Sequence, residues 1–159
     1  MIIRSQCAIF LLCAFFQLGC QQRHDSNDLI FMDLVRLYDT RLAEAFAKGD
    51  MTGVKGIVTA AHGARLDHRL AGIKTAGRRM ESKVIAVEFL EFDKMEGKQL
   101  GFPRYRVKTR EVWDVRHLDT VTGQAVKELK GLAYKLNYEF EQHDGIWQVD
   151  AVEVLQETK

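Results

Sequence analysis

After Met80 the spacing of apolar residues changes from one every three or four positions to one every two, and it stays that way to the C terminus. Few features restrict a fold more. A period near 3.6 commits a segment to a helix, and a period of 2 commits it to a strand with one wet face. Helical segments must therefore come first and strands second. That order predicts an α+β fold, with N-terminal helices packed on one face of a curved four-stranded antiparallel sheet. Each strand keeps a polar side, so the sheet is covered once.

In the helical part, Phe31, Val35, Leu42 and Phe46 make an apolar stripe, with Leu34, Leu37, Tyr38 and Ala45 filling it. Ser26 or Asn27 can cap this helix, Asp28 suits its first turn, and Gly49 ends it. "DMTGVKGIVTA" (50–60) reads as a short second helix weakened by Gly53 and Gly56. A third runs over 62–80 on Leu66, Leu70, Ile73 and Met80, and its Gly63, Gly72 and Gly77 suggest close packing on another backbone.

The strands are predicted at 82–93, 104–117, 131–142 and 146–156. A charged turn "KMEGKQLG" follows the first, a polar connection covers 118–130, and a tight His143-Asp144-Gly145 turn joins the last two. Strand 104–117 turns Tyr105, Val107, Thr109, Glu111, Trp113 and Val115 to one side, and places a carboxylate among apolar neighbours.

All three cysteines (Cys7, Cys13, Cys20) lie in the first 20 residues, so the rest of the chain can form neither a disulfide nor a thiolate metal site. "MIIRSQCAIFLLCAFFQLGC" has one cation, Arg4, and then an uncharged run, the pattern of an export signal. The ending "QLGC" resembles a bacterial lipoprotein signal with Cys20 as the lipidated residue. Leu18 and Gly19 fit and Gln17 departs from the usual aliphatic. Gln21 resembles the residue of lipoproteins passed on to an outer membrane. This gives a signal over 1–19, a tether over 20–28 and a domain over 29–159, on a membrane facing the periplasm or cell exterior. Loss of residues 1–19 removes Arg4 alone among charged residues and leaves 22 basic and 22 acidic, a net charge of zero. Neither that balance nor an exported setting suggests nucleic acid as a partner.

The segments "TREVWD" and "YKLNYEFEQHDGIWQVDAVEV" carry a resemblance. Thr109, Glu111, Trp113, Tyr134, Tyr138, Asp144, Gly145, Trp147 and Val149 resemble the intermembrane-space-type domain of plastid and cyanobacterial division proteins, within the nuclear-transport-factor-2-like (cystatin-like) cone superfamily. The resemblance implies a cavity between the concave sheet and the long helix, used for catalysis in some members and for binding or scaffolding in others.

Glu111 can be read in two ways. Burial raises a carboxyl pKa and can make a general acid or base, as in a small isomerase or dehydratase. Alternatively an arginine (Arg65, Arg69 or Arg78) or a tyrosine hydroxyl satisfies it. Binding is the favoured reading, with Tyr105, Glu111, Trp113, Tyr134, Tyr138 and Trp147 around a partner or small apolar ligand, unless those rings fill the cone. His62 and His68 are six apart, which does not suit a metal pair on one helix face, and they read as helix surface. His143 reads as exposed and His117 as a possible cavity-mouth residue. No cofactor or metal is expected. Basic residues exceed acids by five over 55–83, and acids exceed bases by four over 118–159. The basic helix can turn to an anionic leaflet or simply be solvated. The outer sheet face, with Lys108, Arg110, Asp114, Lys135, Glu139 and Asp150, alternates charge and suits at most a salt-sensitive pairing, which implies a monomer or weak dimer.

Overall fold

The computed structural model describes residues 26–95 and 101–158. The signal segment, Cys20 and the first tether residues lie outside that range, as does most of the turn after the first strand. Two helices, α1 (Ser26–Lys48) and α2 (Ala60–Thr75), precede four strands, β1 (Arg78–Met95), β2 (Arg104–Asp119), β3 (Ala125–His143) and β4 (Ile146–Thr158). The strands form one antiparallel sheet in sequence order, curved but not closed. Each of its three ladders carries two register shifts, at Val84/Ala86 and Phe89/Glu91 for instance, and such bulges bend a sheet. Among the described residues no helix is long and apolar enough to cross a membrane.

The helical stripe packs as its spacing requires except at Leu37, which is exposed. Phe31, Val35, Tyr38, Ala45 and Phe46 from α1 and Leu66 and Leu70 from α2 are buried against Val107, Leu136, Tyr138, Phe140 and Val149 of the sheet. Phe31 stacks on Tyr105 with ring centroids 3.9 Å apart, and the Tyr105 hydroxyl donates to Asp28 at 2.7 Å, which fixes the start of α1 to β2.

The helical expectations need correction in two places. Residues 50–59 form turns and not a helix, closed by Val54 N–H to Met51 O and Ile57 N–H to Val54 O, with Met51, Val54 and Val58 buried. The Asp50 carboxylate accepts from both the N–H and the hydroxyl of Thr52 and so competes with helical bonding, to which Gly53 and Gly56 already contribute little. The end of this segment instead makes a parallel bridge to β4, with Thr59 N–H to Val149 O at 3.0 Å and Val149 N–H to Ile57 O at 2.9 Å.

The long helix also stops early, at Thr75, because Gly77 adopts φ 65° and turns the chain into β1. The suggested close backbone packing at the helix glycines is absent. A side chain would meet nothing at Gly72 or Gly77, and only Val58 at 3.5 Å from Gly63. Among the strands, β3 begins at Ala125, so the connection shrinks to 120–124. It is held by the Asp119 carboxylate, which accepts from the N–H groups of Val121 and Thr122, and by Gly123 at φ 71°. The Asp144-Gly145 turn has both residues at positive φ, as that dipeptide predicts.

Thr59 caps α2. Its hydroxyl accepts from His62 N–H at 3.2 Å and donates to Asp150 at 2.8 Å. Thr59→Ala should therefore lower stability by about 1–2 kcal/mol, and Thr59→Ser should restore most of it. Urea unfolding midpoints measure this, and equal midpoints for the alanine variant and the parent would deny the cap any weight.

Candidate functional site

The bulged strands curve away from the helices at one end and leave an open cavity of about 510 Å³. Leu42, Phe46, Leu66, Ile73, Leu132 and Leu136 supply much of its apolar wall, with Tyr38, Asp39, Trp113, Tyr134 and Tyr138 between them. The volume is in the range of small-molecule pockets.

The six residues expected to surround a ligand divide into two groups. Trp113, Tyr134 and Tyr138 line the cavity. Tyr105 and Trp147 lie at the other end of the sheet, where they close around Phe31 with Phe140 (centroid distances from Phe31 of 3.9, 4.9 and 5.1 Å) and line no part of it. Alternation places all these rings on one face of the sheet. It cannot say how far along that face α1 lies.

Glu111 is completely buried beside the cavity. Its two oxygens accept three hydrogen bonds, from Thr109 Oγ1 at 2.7 Å, Tyr138 OH at 2.8 Å and Trp113 Nε1 at 2.8 Å. A tyrosine hydroxyl takes the partner role, and no arginine among the described residues bonds to it. Thr109 and Trp113 flank Glu111 on the same face of β2, so two of the three donors come from its own strand.

The Tyr138 hydroxyl also lies 2.8 Å from Asp39 Oδ1. A phenol has one proton and can donate only once. Glu111 already has two other donors, Thr109 and Trp113, so a negative charge is better held there than on Asp39. Asp39 is equally buried, and its Oδ2 has no hydrogen-bond partner among the described residues. Burial first, and then the Glu111 charge, push the Asp39 pKa from the ordinary 3.8 up to about 8, against a smaller lowering by Tyr138. The consistent arrangement is a neutral Asp39 whose O–H donates to Tyr138, which in turn donates to an ionised Glu111. Desolvation and the two carboxyls raise the Tyr138 pKa well above 10. Sequence reading missed Asp39, although its position four after Val35 and three before Leu42 puts an acid on the apolar stripe of α1.

His62 is buried and lines the cavity, contrary to its expected place on the helix surface, whereas His68 is exposed. Arg65 Nη2 lies 3.3 Å from His62 Nδ1. A guanidinium can only donate, so Nδ1 accepts and the ring proton is on Nε2, which donates to Tyr38 OH at 2.9 Å. Burial and Arg65 lower the His62 pKa from 6.5 to about 4, so the ring is neutral. The expectation failed because the partner, Tyr38, lies on a different helix. His117 is half-buried on the cavity wall, and His143 is half-buried, 3.1 Å from Glu141 and packed on Phe102, where an exposed turn residue was expected. No group of three or more metal-ligating side chains occurs among the described residues.

The outer sheet face is laced by cross-strand ion pairs, including Arg106–Glu139 at 3.3 Å, Lys108–Glu91 at 2.5 Å and Arg110–Glu88 at 2.7 Å. Arg104 meets both Glu141 and Asp150 at 3.0 Å.

Two helices on an open, bent, four-stranded antiparallel sheet with a cavity between them define an α+β fold with known counterparts. The chain is similar in structure to the intermembrane space region of the chloroplast protein ARC6, with a TM-score of 0.64, 14% sequence identity, and coverage of 84% of this chain and 98% of that one. It also aligns with the putative transfer protein TraH from the Gram-positive conjugative plasmid pIP501, at a TM-score of 0.40 and 12% identity over 76% of this chain and 93% of that one. No protein-family model matches the chain, and no curated protein matches it in sequence.

Proposed function

We propose that the chain is an exported lipoprotein, anchored through Cys20, whose cone of the nuclear-transport-factor-2-like type (residues 29–159) serves as a non-enzymatic binding domain in the cell envelope. The observation that carries this reading is the contrast between an open, mainly apolar cavity and a Glu111 shut away beside it with three donors already in place. A general acid or base must reach the substrate proton directly or through one water. Glu111 is enclosed, so its present role is to hold Tyr138, Trp113 and Thr109 in position. The cavity itself offers area and shape, which is what a binding site needs. That the similar ARC6 region is an intermembrane-space domain agrees with an envelope setting. The ion pairing across the outer face leaves it less suited to docking a partner than the concave side.

Cys20→Ser is expected to move the protein from the membrane fraction to the soluble envelope fraction, and a pull-down with the lipidated form should recover neighbours that the serine form loses. Equal membrane retention of both forms would overturn the anchor.

A further inference from the structure

The cavity has a chemical polarity that its apolar lining alone does not show. At its inner side stands the Asp39–Tyr138–Glu111 group, which carries one buried negative charge. At the far end of the sheet three cations gather. Arg69 lines the cavity from α2, with its guanidinium 5.8 Å from the centre of the Phe46 ring. Arg78 lies two residues before Met80 on β1, and Met80 and Ser82 both line the cavity, so Arg78 is on the concave side. Lys127 pairs directly with His117 across β2 and β3, and Leu129, two residues on, also lines the cavity. Burial, and then Lys127, Arg78 and Arg69, lower the His117 pKa, as this clustering requires. None of the three cations forms an ion pair among the described residues. Asp119, opposite Arg78, is engaged by the turn at Val121 and Thr122, and Glu157 lines the cavity on the side of Tyr134.

We propose that the cavity binds a free single-chain amphiphile with an anionic head, its tail between Phe46, Leu66 and Leu132 and its head at the mouth against Arg69, Arg78 and Lys127. This deepens the binding reading and rests on it. The buried Glu111 charge repels an anionic head from the interior, the unpaired cations attract it at the rim, and the apolar walls between accept only a chain. A neutral molecule forgoes the rim attraction, and a cationic one is opposed by it.

The test is calorimetric titration of the full chain at pH 7 with three ligands of equal tail, dodecanoate, 1-dodecanol and dodecyltrimethylammonium, each below its micelle concentration. Dodecanoate should bind at least about tenfold more tightly than the other two. The double variant Arg78→Glu, Lys127→Glu, at two exposed cations that do not line the cavity, should remove that preference, and Ala43→Trp, which sets a large ring on the cavity wall, should abolish binding of all three. Circular dichroism checks that each variant folds, and the surface double variant tests charge selection even if the tryptophan variant does not. Equal affinity for the three ligands would overturn the proposal and leave the cone an unselective apolar binder. No binding by any of them would overturn the binding domain as well. Dodecanoate binding that survives Ala43→Trp, or that inorganic phosphate displaces, would mark surface attraction and overturn the cavity site. So would binding of phosphatidylglycerol vesicles without binding of dodecanoate.

Discussion

Glu111→Leu should lower the unfolding free energy by about 3 kcal/mol at pH 7. Leucine is close to glutamate in volume, so little of this is a packing loss. The loss comes from the donors that remain. Thr109 and Trp113 lose their acceptor inside the protein, and Tyr138 keeps only Asp39. Each buried unsatisfied polar group costs about 1–3 kcal/mol, and the loss is reduced wherever a hydroxyl finds a new acceptor. Glu111→Gln should cost less, about 1–2 kcal/mol. Its carbonyl still accepts and its amide can donate to hydroxyl oxygens, but one orientation sets the amide against the Trp113 N–H. Urea unfolding of both variants gives the comparison. A leucine variant as stable as the parent would mean that the three donors do not depend on Glu111.

Stability should fall as the pH rises from about 6.5 to 8.5, by about 1.5 kcal/mol, and Asp39→Asn should remove the fall. Asp39 has an ordinary pKa of 3.8 and a folded value of about 8, so between those limits the folded chain holds a proton that the unfolded chain has released. Folding then takes up a proton, and stability declines with pH at up to about 1.4 kcal/mol per unit. His62 acts in the opposite sense. Its folded pKa of about 4 lies below the ordinary 6.5, so in that window the unfolded chain holds the extra proton and stability rises with pH. Between about 4 and 6.5 the two slopes offset each other and the curve should be nearly flat. Above about pH 7.5 both states have a neutral His62 and the Asp39 slope stands alone. The amide introduced by Asp39→Asn would mimic the protonated acid by donating to Tyr138, and it does not titrate. Denaturant titrations at pH 6.5 and 8.5 decide it. A stability that holds or rises over that interval would place the buried proton elsewhere.

The change of period at Met80 was enough to read the sheet, because four strands with one wet face leave a plain alternation. The first six residues of β3 lack that alternation. Residues 125–130 are exposed on both sides except for the half-buried Leu129, so this end of the strand carries no alternating apolar pattern. Gly53 and Gly56 gave warning that residues 50–60 would not be a helix, yet their bridge to Val149 depends on a strand far along the chain. The candidate site was legible in part. Glu111 was conspicuous as a charge on an apolar face, and the same test applied to α1 would have found Asp39. That Tyr138 joins the two carboxyls, that Tyr38 meets His62, and that Tyr105 and Trp147 close on Phe31 are matters of how far along the sheet the helices sit, which periodicity does not encode.

The bonds that tie Ile57 and Thr59 to Val149, and the Thr59 hydroxyl to Asp150 across 91 residues, also fasten the N-terminal half of the domain to its last strand. The start of α2 gains these bonds only once β4 is in the sheet, and they are contacts of high sequence separation. Loss of β4 would therefore unfasten the start of α2 as well as expose the edge of the sheet.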